Sequence, residues 1–142
     1  MTGEKKTPHI LRAKWMDYKN PAILMLTLVT DNRIPLLGKL KGEQIEKTQI
    51  GQKVDEEIQK IPTYDGAQSI EIYSYIVMPD HIHILLHIHE KLPIHIGNYI
   101  RWFKKQCNDS CRALEVPTTR LFALEYHDRI RKGKHQLEHM GN

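Results

Sequence analysis

The chain has 142 residues, 40% of them hydrophobic, and a formal net charge of +4. That length supports one domain with a real core, and no apolar run approaches the ~18 residues of a membrane span. No signal-peptide pattern opens the chain. Cys107 and Cys111 stand one helical turn apart and make no disulfide framework, so a cytoplasmic protein is expected. Charge is uneven: from residue 91 onward ten Lys and Arg face five Asp and Glu, whereas the first 90 residues are nearly balanced. Such an excess is either a solvated face or a surface for a polyanion such as nucleic acid.

Residues 1–20 are polar and basic without a clear period, and read as an arm; residues 21–142 read as one domain. "PAILMLTLVTD" is an apolar, β-branched run bounded by Pro21 and Asp31, which predicts a strand. "LLGKLKGEQIE", with a turn at Lys41-Gly42, suits a small hairpin. Thr48 is a plausible N-cap for a helix whose apolar face is Ile50, Val54, Ile58 and Ile61, closed by Pro62. "SIEIYSYIVM" alternates, placing Ile70, Ile72, Ser74 and Ile76 on one face and Tyr73 and Tyr75 on the other. Pro79-Asp80 marks a turn, and "HIHILLHIH" alternates again, which predicts an antiparallel hairpin. Ile96, Ile100, Phe103, Cys107 and Leu114 follow helical spacing up to Pro117, with the two cysteines on or near the buried face. "LFALEYHDRI" predicts a last strand. The order strand, helix, strand, strand, helix, strand predicts an α+β, ferredoxin-like βαββαβ sandwich: an antiparallel sheet with both helices on one face.

The third main strand carries the chemistry. Side chains alternate in a strand, so His81, His83, Leu85, His87 and His89 share one face and Ile82, Ile84, Leu86 and Ile88 the other. Imidazoles at i and i+2 lie about 6–7 Å apart at the backbone and can lean onto one ion, whereas His81 and His89 are about 26 Å apart. A strand HxH is also compatible with two half-exposed histidines and no metal. Neither Cys nor a third His falls at zinc-finger spacing, so a closed four-ligand zinc site is not expected. Two histidines with open positions suit a catalytic divalent ion better.

"YIVMPDHIHILLHI" resembles the signature of HUH-type single-tyrosine transposases, closest to the REP-associated branch. "RAKWMDYKNPAILMLTLVTDNR", "YIRWFKKQCN" and "LFALEYHDRIRKGKHQLEHM" resemble that family's opening arm and first strand, second helix, and last strand with the start of the final helix. The resemblance implies that His81 and His83, with a third ligand, hold Mg²⁺ or Mn²⁺. It implies that a tyrosine on the final helix attacks a phosphate in single-stranded DNA, leaving a 5′-phosphotyrosine and a free 3′-hydroxyl. Its expected partners are single-stranded DNA hairpin ends, and it allows a homodimer in which the partner supplies the tyrosine. The second triplet, His87 to His89, has no Pro-Asp before it and matches no motif of the family.

The departure is the nucleophile. The family places it just beyond the "QLEHM" region, where this sequence ends, so a domain truncated at its C-terminus is expected, with the catalytic tyrosine unassigned. Tyr126, the fallback, stands in "EYHDRI", which matches the last strand. Arg101, Trp102, Lys104 and Lys105 on the second helix, and Arg129 with Arg131 and Lys132, are candidates for phosphate contact and base stacking, or else a solvated helix face and strand end. The leading reading is metal-dependent cleavage and joining of single-stranded DNA in transposition. The alternatives are a catalytically inactive DNA- or RNA-binding module of the same fold, and a Zn²⁺- or Ni²⁺-binding protein using the histidine strand.

Overall fold

A computed structural model describes residues 20–124 and the backbone of 127–131. The residues expected to form the arm lie almost wholly outside the described residues, as do Tyr18, Tyr126 and Lys132. The elements are β1 (Ala22–Val29), β2 (Gly38–Lys41), β3 (Gln44–Lys47), α1 (Gln49–Lys60), β4 (Ile70–Met78), β5 (His81–Ile88), α2 (Ile96–Ser110) and β6 (His127–Arg131). The main sheet runs β4-β5-β1-β6, every neighbour antiparallel, while β2 and β3 form a separate hairpin. With both helices packed into one core against the sheet, this is the expected ferredoxin-like α+β sandwich.

β5 sets the geometry. Ile82, Ile84, Leu86 and Ile88 are at most 1% exposed, while the residues between them are half-buried. Each fully buried aliphatic side chain contributes about 1.5–3 kcal/mol relative to an exposed one. A one-residue slip would bury the histidines and expose the aliphatics, so the register is strongly fixed. In β1, Leu24, Leu26 and Leu28 pair with Leu86, Ile84 and Ile82 on the core side. Met25, Thr27 and Val29 pair with Leu85, His83 and His81 on the other side. The helices contribute Val54 and Ile58 from α1, and Ile100, Phe103 and Cys107 from α2, to the core face. Both cysteines are buried and free. The histidine face therefore looks away from the helix layer.

α1 starts as its sequence requires. The Thr48 hydroxyl accepts from Gly51 N–H at 3.0 Å and donates to the Leu36 carbonyl at 2.7 Å, tying the cap to the preceding loop. Ile50, Val54, Ile58 and Ile61 are all buried, as their spacing predicts. The hairpin turns at Gly42, whose φ of 63° is accessible to glycine at little cost.

Three expectations need correction. β4 does not keep one alternation: the register shifts between Ile72 and Ser74, a bulge at Tyr73. Ile70 is buried and Ile72 packs against the core, but beyond the bulge it is Tyr75 and Val77 that pack there, and Ile76 is 51% exposed. The cause is visible in the anchors, since Tyr75 Oη donates to Asp55 Oδ1 of α1 at 2.7 Å while Val77 fills the core opposite Ile82. α2 ends at Ser110 rather than running to Pro117; Asn108, Asp109 and Ser110 are weak helix formers, and the Asn108 side chain instead accepts from Leu121 N–H at 3.0 Å. The last strand begins at His127, not Leu121. Leu121 and Phe122 are buried, and this segment meets the end of β1 through a single Thr30–Phe122 bridge.

Candidate metal centre on the histidine face

The entry to β5 is held on all sides. The two-residue turn Pro79-Asp80 leaves Met78 opposite His81. Leu37 N–H donates to the Pro79 carbonyl at 2.9 Å. Thr30 donates to the Asp80 carbonyl through its N–H at 2.9 Å and its hydroxyl at 3.1 Å. The Asp80 carboxylate then lies between two cations or donors. Arg33, in a left-handed backbone conformation at φ 55°, reaches it at 3.2 Å, and His81 Nδ1 meets it at 2.8 Å. The hydrogen bond from His81, with Arg33 nearby, holds the Asp80 carboxyl below the usual carboxylate range.

His81 and His83 stand together, ring centroids 4.7 Å apart and nearly perpendicular. Each ring is oriented through Nδ1: His81 by Asp80, and His83 by Thr27 Oγ1 across the β1–β5 pair at 2.8 Å. A carboxylate can only accept, so His81 carries a proton on Nδ1, the tautomer whose neutral form has its lone pair on Nε2. The Thr27 hydroxyl orients the His83 ring; where it accepts from Nδ1–H, the His83 lone pair is on Nε2 as well. Burial, and then the neighbouring His81, push the His83 imidazole below its ordinary value, favouring the neutral form that binds metals. The donor set thus fits a divalent ion: two imidazoles on one face, each oriented by a hydrogen bond at Nδ1. Among the described residues no third His, Cys, Asp or Glu comes close enough to both to complete a group of three.

The described tyrosines lie elsewhere. Tyr75 is on the helix side with Asp55, and burial together with that carboxylate pushes its phenol up. Tyr64 and Tyr99 pack at the helix layer with buried hydroxyls that lack partners, and burial raises both phenols. Tyr73 alone reaches the histidine face, at His87: its hydroxyl is 2.7 Å from His87 Nδ1. The expectation that Tyr73 and Tyr75 share a face therefore fails at the bulge.

The basic residues of α2 sit on the helix layer, across the sheet from the histidines. Arg101 is exposed and bonds Asn98; Lys105 is exposed and pairs with Asp109 at 2.9 Å. Trp102 is 41% exposed and rests edge-on against Tyr99 and Tyr64. Lys104 has a structural task, since its ammonium donates to the carbonyls of Ala123 and Leu124 at 2.6 and 3.0 Å. Arg129 pairs opposite Met25 in the β1–β6 register.

Sequence reasoning did not find Thr27 or Arg33 as supports, because only the strand register and the loop before β2 bring them to the pair; Asp80 was read as a turn residue, and its bond to the neighbouring His81 depends on the turn's geometry. Nor did it find that Glu71 joins His87 and His89: one ligand atom from each of the three lies within 4.8 Å of the others. This is the group of three potential metal ligands among the described residues. No helix among the described residues is long and apolar enough to cross a membrane.

Comparison with known proteins bears on the family and the fold. The family model described as "Transposase IS200 like" matches residues 39–121, more than half of the chain. No curated protein matches the sequence. Among solved structures, a REP-associated tyrosine transposase bound to a REP hairpin is similar, with a TM-score of 0.62 and 18% identity. That match covers 90% of this chain and 67% of the other. A candidate transposase from Deinococcus radiodurans R1 is similar with a TM-score of 0.58 and 18% identity, covering 91% of this chain and 93% of the other. At such identities the two structures speak for the fold, and the family model for descent; the chain belongs to the IS200-like transposase family.

Proposed function

We propose that this chain binds single-stranded DNA, at hairpin ends, and takes part in metal-dependent cleavage and joining of that strand, with His81 and His83 holding the ion. The observation that carries this reading is the pre-set pair. Both imidazoles face one side of β5, and both are oriented by a hydrogen bond at Nδ1, which in the Nδ1–H tautomer leaves Nε2 for a ligand. Mg²⁺ prefers oxygen ligands, so a site with two imidazoles favours Mn²⁺. A bound ion supplies stabilisation of the charge that develops on the phosphate oxygens.

The chain's own residues have distinct tasks. Asp80 fixes the proton on His81 Nδ1 and Thr27 orients the His83 ring, while Arg33 holds Asp80 in place. In the cleavage step a tyrosine oxygen bonds to phosphorus and the P–O3′ bond breaks. The 3′-oxygen leaves as a hydroxyl, taking up a proton equivalent to the one lost by the phenol, and the 5′-phosphate stays on tyrosine. Tyr126 is the fallback nucleophile in this chain. Arg101, Trp102 and Lys105 offer an exposed strip on α2 for phosphate contact and stacking. Because that strip lies across the sheet from the histidines, DNA touching both must pass around an edge.

The test is incubation of the full chain with Mn²⁺ and a labelled single-stranded hairpin, followed by denaturing electrophoresis. A covalent adduct that disappears in His81→Ala/His83→Ala supports the reading; an adduct that persists in that variant overturns the role of the pair. Loss of the adduct in Tyr126→Phe would assign the nucleophile. The positions of Tyr64, Tyr75 and Tyr99 on the helix side favour one other reading, an inactive single-stranded DNA- or RNA-binding module. Hairpin binding without any adduct would select it.

A further inference from the structure

We propose that Glu71, His87 and His89 form a second metal site on the same sheet face, selective for a borderline first-row divalent ion such as Zn²⁺. The three side chains each offer a ligand atom, all within 4.8 Å of one another. Ligands at about 2.0–2.1 Å around a tetrahedral ion stand roughly 3.3 Å apart, so small side-chain rotations close the set. Two imidazoles and a carboxylate are a donor set for Zn²⁺, Ni²⁺ or Co²⁺ rather than for Mg²⁺ or Ca²⁺, which prefer all-oxygen surroundings.

The site is built by the bulge. The turn at Pro79-Asp80 pairs Met78 with His81, and that register continues to Ser74 opposite Leu85. Were Tyr73 paired with Leu86 and not bulged, the same register would set Glu71 opposite Ile88 and Ile72 opposite His87. With it, Glu71 stands directly opposite His87, and His89 follows two residues along the same face. His89 N–H donates to the Ser69 carbonyl at 2.8 Å, so the backbone beneath the third ligand is held as well. The bulged residue then supplies a support of its own: Tyr73 Oη lies 2.7 Å from His87 Nδ1 and orients the ring, and where Nδ1–H donates to the phenol oxygen, Nε2 is left for an ion.

The rings of His87 and His89 are 3.8 Å apart, and His89 Nε2 meets Glu71 Oε1 at 2.6 Å. That contact marks the place an ion would take between the two ligand atoms. The side chains of His89 and Glu71 are 47% and 53% exposed, so an ion can reach the site from solvent and keeps water-filled positions. From His83 to His87 is four residues, or about 13 Å along the strand, too far for the two pairs to share one ion.

The proposal does not depend on the reading of His81 and His83. Calorimetric titration of the untagged full chain with Zn²⁺ tests it in the His81→Ala/His83→Ala background, where the first pair is gone. One Zn²⁺ per chain is expected. Adding His89→Ala is expected to abolish the binding, Glu71→Gln to weaken it at least about tenfold, and Tyr73→Phe about tenfold, as losses of ligand and of orienting partner do. Visible absorption of Co²⁺ under the same conditions should show an intense d–d band that the Glu71→Gln variant loses. Absence of Zn²⁺ binding in the His81→Ala/His83→Ala background overturns the proposal, as does binding there that ignores both His89→Ala and Glu71→Gln. Neither result touches the adduct assay, so the two readings fail separately.

Discussion

The two His-Ile-His triplets, at the two ends of β5 with His89 one residue beyond it, have the same sequence and the same face, yet different surroundings. His81 and His83 are held from the entry side of the strand, by the carboxylate of the preceding turn and a hydroxyl from β1. His87 and His89 are held from β4, by a phenol and a carboxylate that a bulge brings into register. The first pair has its carboxylate at the back of the ring, where it orients. The second has its carboxylate beside the ring, where it competes as a ligand. A short motif fixes which atoms are offered; the neighbouring strands decide what those atoms can hold.

The sharpest way to break the comparison is to delete each pair. His81→Ala/His83→Ala should reduce adduct formation with hairpin DNA about a thousandfold or more, the effect of removing several kcal/mol of stabilisation from a developing phosphate charge. His87→Ala/His89→Ala should instead remove the Zn²⁺-selective site, read by calorimetry. If both deletions act alike on the adduct, the two triplets are one functional unit and the distinction drawn between them is wrong.

The scaffold under the first triplet offers the next largest effect. A Cβ on Gly51 would lie 1.9 Å from the Leu37 carbonyl oxygen, and Leu37 N–H is what holds the Pro79 carbonyl at the entry to β5. Gly51→Ala should therefore cost about 3 kcal/mol in urea unfolding, at the upper end of overpacking penalties. It should also disturb the His81 environment more than that of His89, measured as imidazole NMR shifts. Equal disturbance would mean that the turn is not coupled to α1.

Below that comes Asp80. Asp80→Ala removes the acceptor that sets the His81 tautomer and should weaken Mn²⁺ binding about 10- to 100-fold, leaving Zn²⁺ binding at Glu71, His87 and His89 within error. An unaltered Mn²⁺ affinity would show that the Asp80 carboxylate serves only Arg33.

How much of this was legible in the sequence follows from the range of the interactions involved. The alternation of β5 and the α1 face are local patterns, and both are found as read: Ile82, Ile84, Leu86 and Ile88 inward, and Ile50, Val54, Ile58 and Ile61 buried. The βαββαβ order came from the same patterns. The bulge in β4 leaves no trace in "IEIYSYIVM", because the alternation on each side of Tyr73 is intact and only the phase changes. Its consequences, Glu71 opposite His87 and Ile76 exposed, depend on pairing with another strand. The end of α2 was misread because Leu114 keeps a helical spacing to Cys107 although it lies in the turn that follows the helix. The family resemblance pointed to His81 and His83 but carried no information on Glu71, Tyr73 or Thr27.

The same bulge separates two tyrosines, and this gives the finest test. Tyr73 turns to His87, whereas Tyr75 turns to Asp55 on α1. Burial alone would raise the Asp55 carboxyl, but hydrogen bonds from Tyr75, Gln59 and Lys47 outweigh it and leave the group below its ordinary value. A carboxyl depressed in the folded state adds stability that is present above the unfolded value of about 3.9 and is lost as pH falls through the folded value. Asp55→Asn should therefore cost about 1 kcal/mol near neutral pH, and the gap from wild type should close below about pH 4. Tyr75→Phe should show a smaller gap that closes over the same range, since it removes one of the bonds responsible. Tyr73→Phe should show no such acid-side convergence, because its phenol faces an imidazole and not a carboxylate. Matching acid profiles for the two tyrosine variants would put both side chains on one face and remove the bulge from the account of the second triplet.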